Sequence, residues 1–130
     1  MATATFRDET ATGKSLHSFD VPDVPDSITV RELVRLRVRE EVARYNAAPS
    51  AHFGGLVRPE EADPDGSGYR LKRPRRLDWT TQAEVACRAF ERNGFFVLVA
   101  DRQVESLDEV VDLTAASDVA FVKLVPLVGG

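Results

Sequence analysis

The sequence predicts an α+β domain, with helices packed on one face of a mixed sheet. Two regions with helical periodicity, near 29–46 and 79–92, are flanked on both sides by short apolar runs of strand type. A Gly/Pro-rich stretch separates the two helices. At 130 residues the chain is long enough for one domain with a real core.

Phe6 to Glu9 fits a first strand, and Thr12-Gly13-Lys14 reads as a turn. Leu16, Phe19 and Val21 suit a second strand ending at Pro22. Asp20 to Asp26 holds two prolines and is expected to be a loop. Thr29 and Glu32 have the spacing of a capping box, so a helix should begin there. Val30, Leu33, Val34, Leu36, Val38, Val42 and Tyr45 supply its apolar stripe. Arg31, Arg35, Arg39 and Arg44 are expected on the opposite side, and the helix should end near Asn46.

Ala47 to Leu77 reads as a long loop, a length that is often functional or mobile. Asp63 to Gly68 is its expected turn or tip, while His52-Phe53 and Leu56-Val57 could pin it to the body. The second helix should span Trp79 to Arg92, capped by Asp78 or Thr80, or by a Thr81–Glu84 box. Trp79, Ala83, Ala86, Ala89 and Phe90 form its inner face, and Asn93-Gly94 stops it. Phe95 to Ala100 is expected to be a buried strand, turning at Asp101-Arg102 into a short return at Gln103-Val104. Leu107 to Leu113 is expected to be a compact connection, and Val119 to Val125 the last strand.

Thr12-Gly13-Lys14, Phe19-Asp20-Val21, and Ser27 to Val30 with the helix behind them resemble the first half of the ubiquitin domain. Phe96 to Glu105 resembles its third and fourth strands, and Ser117 to Gly130 its last strand and diglycine tail. The resemblance implies a ubiquitin-like β-grasp in one domain, 1–130, with an insertion at about 47–92 and a flexible tail over 126–130. It further implies a ubiquitin-like modifier rather than an enzyme, and the lack of ubiquitin's arginines before the glycines suggests a bacterial one. The Gly130 carboxylate would be adenylated by an E1-like enzyme using ATP-Mg, with no cofactor bound by this chain. Gly129 would let the tail thread an active site, since glycine lacks a side chain. An E2-like conjugating enzyme, a deconjugating protease and a target protein are the further implied partners.

Pro126, Leu127 and Val128 before the glycines also resemble the bacterial sulfur carriers of thiamine and molybdopterin synthesis. They would form the tail-recognition segment, and a C-terminal thiocarboxylate is the alternative outcome. A binding or self-assembling module without conjugation is the third. By resemblance, Leu98, Val122 and Leu124 would make a partner patch. That register turns Lys123 inward, which is costly for an ammonium, so strand alternation sets the patch against a core reading.

Other signals have plainer readings. Gly13-Lys14-Ser15 ends like a phosphate-binding loop, but Asp8 stands where the motif needs its first glycine. The basic run Tyr69 to Arg76 is expected to be a solvated loop, because net charge is -4 and argues against a general nucleic-acid binder. Cys87, the single cysteine, fits a buried structural thiol and excludes an internal disulfide. A reducing, cytoplasmic setting follows from that cysteine usage and from the lack of a signal-like start or a membrane-length apolar run. His17 and His52 lack a metal-ligand cluster, and Asp108-Glu109 and Glu60-Glu61 read as solvated pairs. Of the three lysines, Lys14 and Lys72 fall in expected exposed turns, with Lys72 predicted the most accessible.

Overall fold

The computed structural model describes residues 1–66 and 68–124. Strands β1 (Ala2–Thr10) and β2 (Ser15–Val24) form a hairpin, and β3 (Ser27–Thr29) leads into helix α1 (Val30–Ala47). Strands β4 (His52–Phe53), β5 (Ala62–Asp65) and β6 (Gly68–Leu71) precede helix α2 (Trp79–Glu91). Strands β7 (Phe95–Val99), β8 (Arg102–Val104), β9 (Val110–Asp112) and β10 (Asp118–Lys123) complete the described chain.

Among the described residues these strands form three sheets. The largest has the order β2-β1-β10-β7-β8, with β1 and β10 parallel and the other pairs antiparallel. Strand β3 pairs with β9, and the third sheet has the order β4-β6-β5. The architecture is therefore α+β with a mixed sheet and two helices.

Several expectations change at prolines. Strand β2 continues through Pro22 to Val24, where a loop is expected from Asp20. It is an edge strand, so the missing proline amide removes no internal ladder bond. Pro64 lies in β5, another edge strand, opposite Tyr69. The expected 47–77 loop thus holds a three-stranded sheet, and the expected Asp63–Gly68 tip is partly strand. Phe53, Leu56 and Val57 are buried, as their pinning role requires.

Thr29 caps α1 by accepting from the Glu32 amide at 3.2 Å. Glu32 itself leans toward Arg35, 3.7 Å away. Asp78 caps α2 and also accepts from the Thr80 and Thr81 hydroxyls, so the Thr81–Glu84 box does not form the cap. Asn93, with φ of 60°, takes the left-handed conformation that ends α2.

The β7–β8 turn is Ala100-Asp101, one residue earlier than expected, because Val99 pairs with Arg102. Both turn residues have positive φ, the geometry that matches strand twist in a two-residue hairpin. Leu107–Leu113, expected to be a plain connection, contributes β9. The last strand is described to Lys123; its expected end at Val125 lies outside the described residues.

One apolar core joins the pieces. Val30, Leu33, Val34, Val38 and Val42 form the buried stripe of α1, while Leu36 is half-buried. Phe6 and Phe121 meet edge to face with centroids 5.5 Å apart under that stripe. Such aromatic burial contributes about 1.5–3 kcal/mol per side chain.

Candidate functional site

Strand β10 divides two chemically different surfaces. Val119, Phe121 and Lys123 are buried, while Val122 is half-buried and Leu124 is 42% exposed. Side chains alternate across a strand, so Ala120 and Val122 belong to the face away from α1. Ala120 pairs with Leu98, and Val122 pairs with Phe96. The expected patch residues Leu98 and Val122 therefore share the outer face as diagonal neighbours, and the exposed Leu124 follows just past the end of β10. Phe96 joins them; only the cross-strand register reveals it. On the adjoining strand Arg7 donates from Nε to Asp118 at 2.9 Å and also pairs with Glu9, framing the apolar strip with charge.

Lys123 takes the costly inward position. Its Nζ lies 3.4 Å from the Gly54 carbonyl oxygen. Burial holds its pKa below the ordinary lysine value, against opposing pulls from Asp8 and Glu41. The surrounding charges make this position tolerable. Arg37, only 1% exposed, donates through both terminal nitrogens to the Asp8 carboxylate. It also donates to Glu41 at 3.1 and 3.3 Å, and its guanidinium lies 4.8 Å over the Phe121 ring. Glu41 accepts from the Leu56 amide at 3.0 Å. Burial nevertheless pushes the Glu41 carboxyl up, with Arg37 opposing it. For Arg37, the lowering by burial is outweighed by Glu41 and Asp8, so its pKa is raised.

These four groups balance two positive charges against two negative ones. Charges out of water persist only when paired and hydrogen-bonded. The network joins β1, α1, β10 and the Gly54–Leu56 segment that follows β4. Arg31, Arg39 and Arg44 are exposed and Arg35 is half-buried, as expected of the side opposite the stripe; Arg37, which that expectation did not include, is buried. Arg37 and Glu41 occupy that stripe at i,i+4 spacing, the signal that could have found them. A cleft of about 300 Å³, lined in part by His17, Phe19, Arg44 and Tyr45, opens beside the network.

The remaining candidates separate in space. Gly13, with φ of 88°, makes the β1–β2 turn and is followed by a strand rather than the helix a phosphate loop needs. Cys87 is buried in α2, and burial pushes its thiol up, which disfavours the thiolate. Arg70 and Leu71 of the basic run lie in β6, whereas Lys72 and Arg73 are exposed. Lys14 is also exposed, so Lys123 is the buried lysine of the three. Among the described residues, no cluster of three or more His, Cys, Asp or Glu could hold a metal ion, and no helix is long and apolar enough to cross a membrane. Pro126, Leu127, Val128, Gly129 and Gly130 lie outside the described residues.

The fold and these surfaces define an α+β domain with a mixed sheet, an apolar strip on the outer face and a charge network on the inner one. No family model, curated protein or solved structure matches the chain.

Proposed function

We propose that this protein is a ubiquitin-like modifier of β-grasp type. The supporting observation is the sheet order: β1 and β10 are parallel neighbours at the centre, and α1 crosses one face. That arrangement is compatible with a β-grasp, and β10 leads toward the Gly129-Gly130 pair. The reading requires Gly130 to carry a free carboxyl, either encoded or exposed by cleavage behind it.

The chemistry follows from the weakness of a carboxylate as an electrophile. A Gly130 carboxylate oxygen attacks the α-phosphorus of ATP, and magnesium pyrophosphate leaves. A cysteine thiolate of the E1-like enzyme then attacks the acyl carbon, and AMP leaves. After transfer to an E2-like cysteine, a target amine displaces the thiolate and loses a proton to solvent, leaving an amide. Each step replaces one hard acyl transfer with an easier one. This chain contributes the acyl group, the side-chain-free Gly129 behind it, and a docking surface. The strip of Phe96, Leu98 and Val122, with Leu124 beside it, is that surface in this reading. Pro126, Leu127 and Val128 are the tail segment that the activating enzyme recognises.

Intact mass after incubation with ATP-Mg and an E1-like enzyme from the same cell tests the reading. Adducts on other proteins, lost when Gly129 and Gly130 are deleted, are expected. Exchange of one oxygen for sulfur at Gly130 instead identifies a sulfur carrier. No change of mass, with cellular function retained after the deletion, identifies a binding module. Where self-linked chains form, Lys72 is the expected acceptor; linkage concentrated at inward-facing Lys123 contradicts the placement of the lysines.

A further inference from the structure

We propose that the groove between the open edge of β3 and the Trp79 end of α2 docks an extended acidic segment of a partner protein. Strand β3 is covered on one side only. Leu113 donates to the Asp26 carbonyl and Val30 to the Glu109 carbonyl, each at 2.8 Å. Antiparallel pairs alternate, so the Asp26 carbonyl, both main-chain groups of Ile28 and the Val30 amide turn toward the β9 segment. Ser27 therefore turns its amide and carbonyl the other way, as Thr29 does its amide, while the Thr29 carbonyl, at the N-cap, belongs to the first turn of α1. Among the described residues no strand lies on that side. An exposed strand edge is a template for pairing with another chain.

The space beside this edge is shaped for more than water. A groove of about 400 Å³ is lined by β3, by Glu32, Arg35, Leu36 and Arg39 of α1, and by Trp79. A second groove, also about 400 Å³, shares Arg39 and Trp79 and continues along α1 to Ala47 and Arg76. From Glu32 to Ala47 the helix rises about 22 Å, close to the length of seven extended residues. Leu36 and Trp79 offer apolar contact, and both are half-buried.

Charge selects the occupant. Arg35, Arg39 and Arg76 flank the two grooves, against one carboxylate, Glu32. Arg35 lies 5.3 Å over the Trp79 ring and 3.7 Å from Glu32. Among the described residues, Arg39 and Arg76 form no ion pair. This basic lining stands out on a chain of net charge -4. A strand that alternates apolar and acidic side chains would place the first on Leu36 and Trp79 and the second among the arginines. The lining residues differ from those of the outer sheet strip, and the proposal does not depend on conjugation.

Trp79 is the only tryptophan and therefore a site-specific reporter. The full chain is titrated with an acetylated, amidated heptapeptide of alternating valine and glutamate. A second heptapeptide has lysine in place of glutamate. The expected result is a saturable change in Trp79 emission with the acidic peptide, at least about tenfold weaker with the basic one and weakened by salt. Amide exchange should slow at Ser27 and Thr29. Arg35→Glu with Arg39→Glu should weaken binding by about tenfold or more while the circular dichroism stays unchanged. Arg39→Glu alone, at an exposed position, gives the same test with less risk to folding. No saturable response up to millimolar peptide, equal response to both peptides, or full binding by the charge-reversed proteins overturns the proposal. Concentration-dependent self-association that protects Ser27 and Thr29 without peptide also overturns it, since a second copy is then the occupant.

Discussion

Arg7 and Asp8 are adjacent on β1 yet belong to opposite worlds. Arg7 faces outward and pairs with Asp118, whose side chain is 49% exposed. Asp8 faces inward and pairs with Arg37, where both side chains are at most 5% exposed. The pairing chemistry is the same, but solvent differs. Outside, water already stabilises each charge, and the ion pair adds little. Inside, each charge depends on its partners, so losing one leaves another stranded. The inner network also ties Gly54 and Leu56 to the sheet, whereas the outer one only frames the apolar strip.

The strongest way to break this contrast is Arg37→Met. It leaves Asp8 and Glu41 without their main partner and should cost about 3–5 kcal/mol in urea denaturation. A cost below about 1 kcal/mol would mean that water reaches the network. Phe53→Ala asks whether the β4–β6 segment is held as firmly as the network implies. Phe53 is 2% exposed and meets Tyr45 edge to face, so a loss of about 3–5 kcal/mol is expected by thermal or chemical unfolding.

Replacing the charges together sharpens the comparison. Asp8→Leu, Arg37→Met, Glu41→Leu and Lys123→Met in one chain should be less destabilising than Arg37→Met alone, because no charge is then left unpaired. A penalty equal to the sum of the single changes, measured under the same denaturant conditions, contradicts that reasoning.

The pH dependence of Lys123→Met tests the inward lysine. Burial lowers the folded pKa of Lys123 below the ordinary 10.5, despite Asp8 and Glu41. Between those two values the unfolded chain binds more protons at this group than the folded one. Its contribution to stability therefore rises with pH across that interval. The stability difference, wild type minus variant, should climb toward pH 10.5. A flat or falling difference places the ammonium in water. The smallest effect belongs outside: Arg7→Ala should change stability by about 0–1 kcal/mol, and more would show the outer pair to be shielded from solvent.

What could be seen in the sequence follows the same division between regular and exceptional environments. Helix α1 was legible because Thr29 and the 3.6-residue apolar period agree. The outer positions of Leu98 and Val122 were legible as a resemblance, and β10 alternation decides the Lys123 conflict that accompanied them. Arg37 and Glu41 were hidden because a charged residue on a helix normally marks its wet face; their i,i+4 spacing is a local hint, but the burial also needs Asp8, 29 residues earlier. Strands β4 to β6 were hidden for another reason. They are 2–4 residues long and interrupted by proline and glycine, so the period-two signal never accumulates. The Ser27–Thr29 edge depends on pairing with Val110–Asp112, far along the chain, which local patterning does not report.

The most direct test of the functional account is tandem mass spectrometry of conjugates isolated from cells expressing the tagged chain. The account predicts branched peptides in which the Gly130 carbonyl is joined by an amide to an amine of another protein, and their disappearance on deletion of Gly129 and Gly130. A chain whose cellular role persists after that deletion, with no Gly130-linked branch in the intact protein, contradicts it.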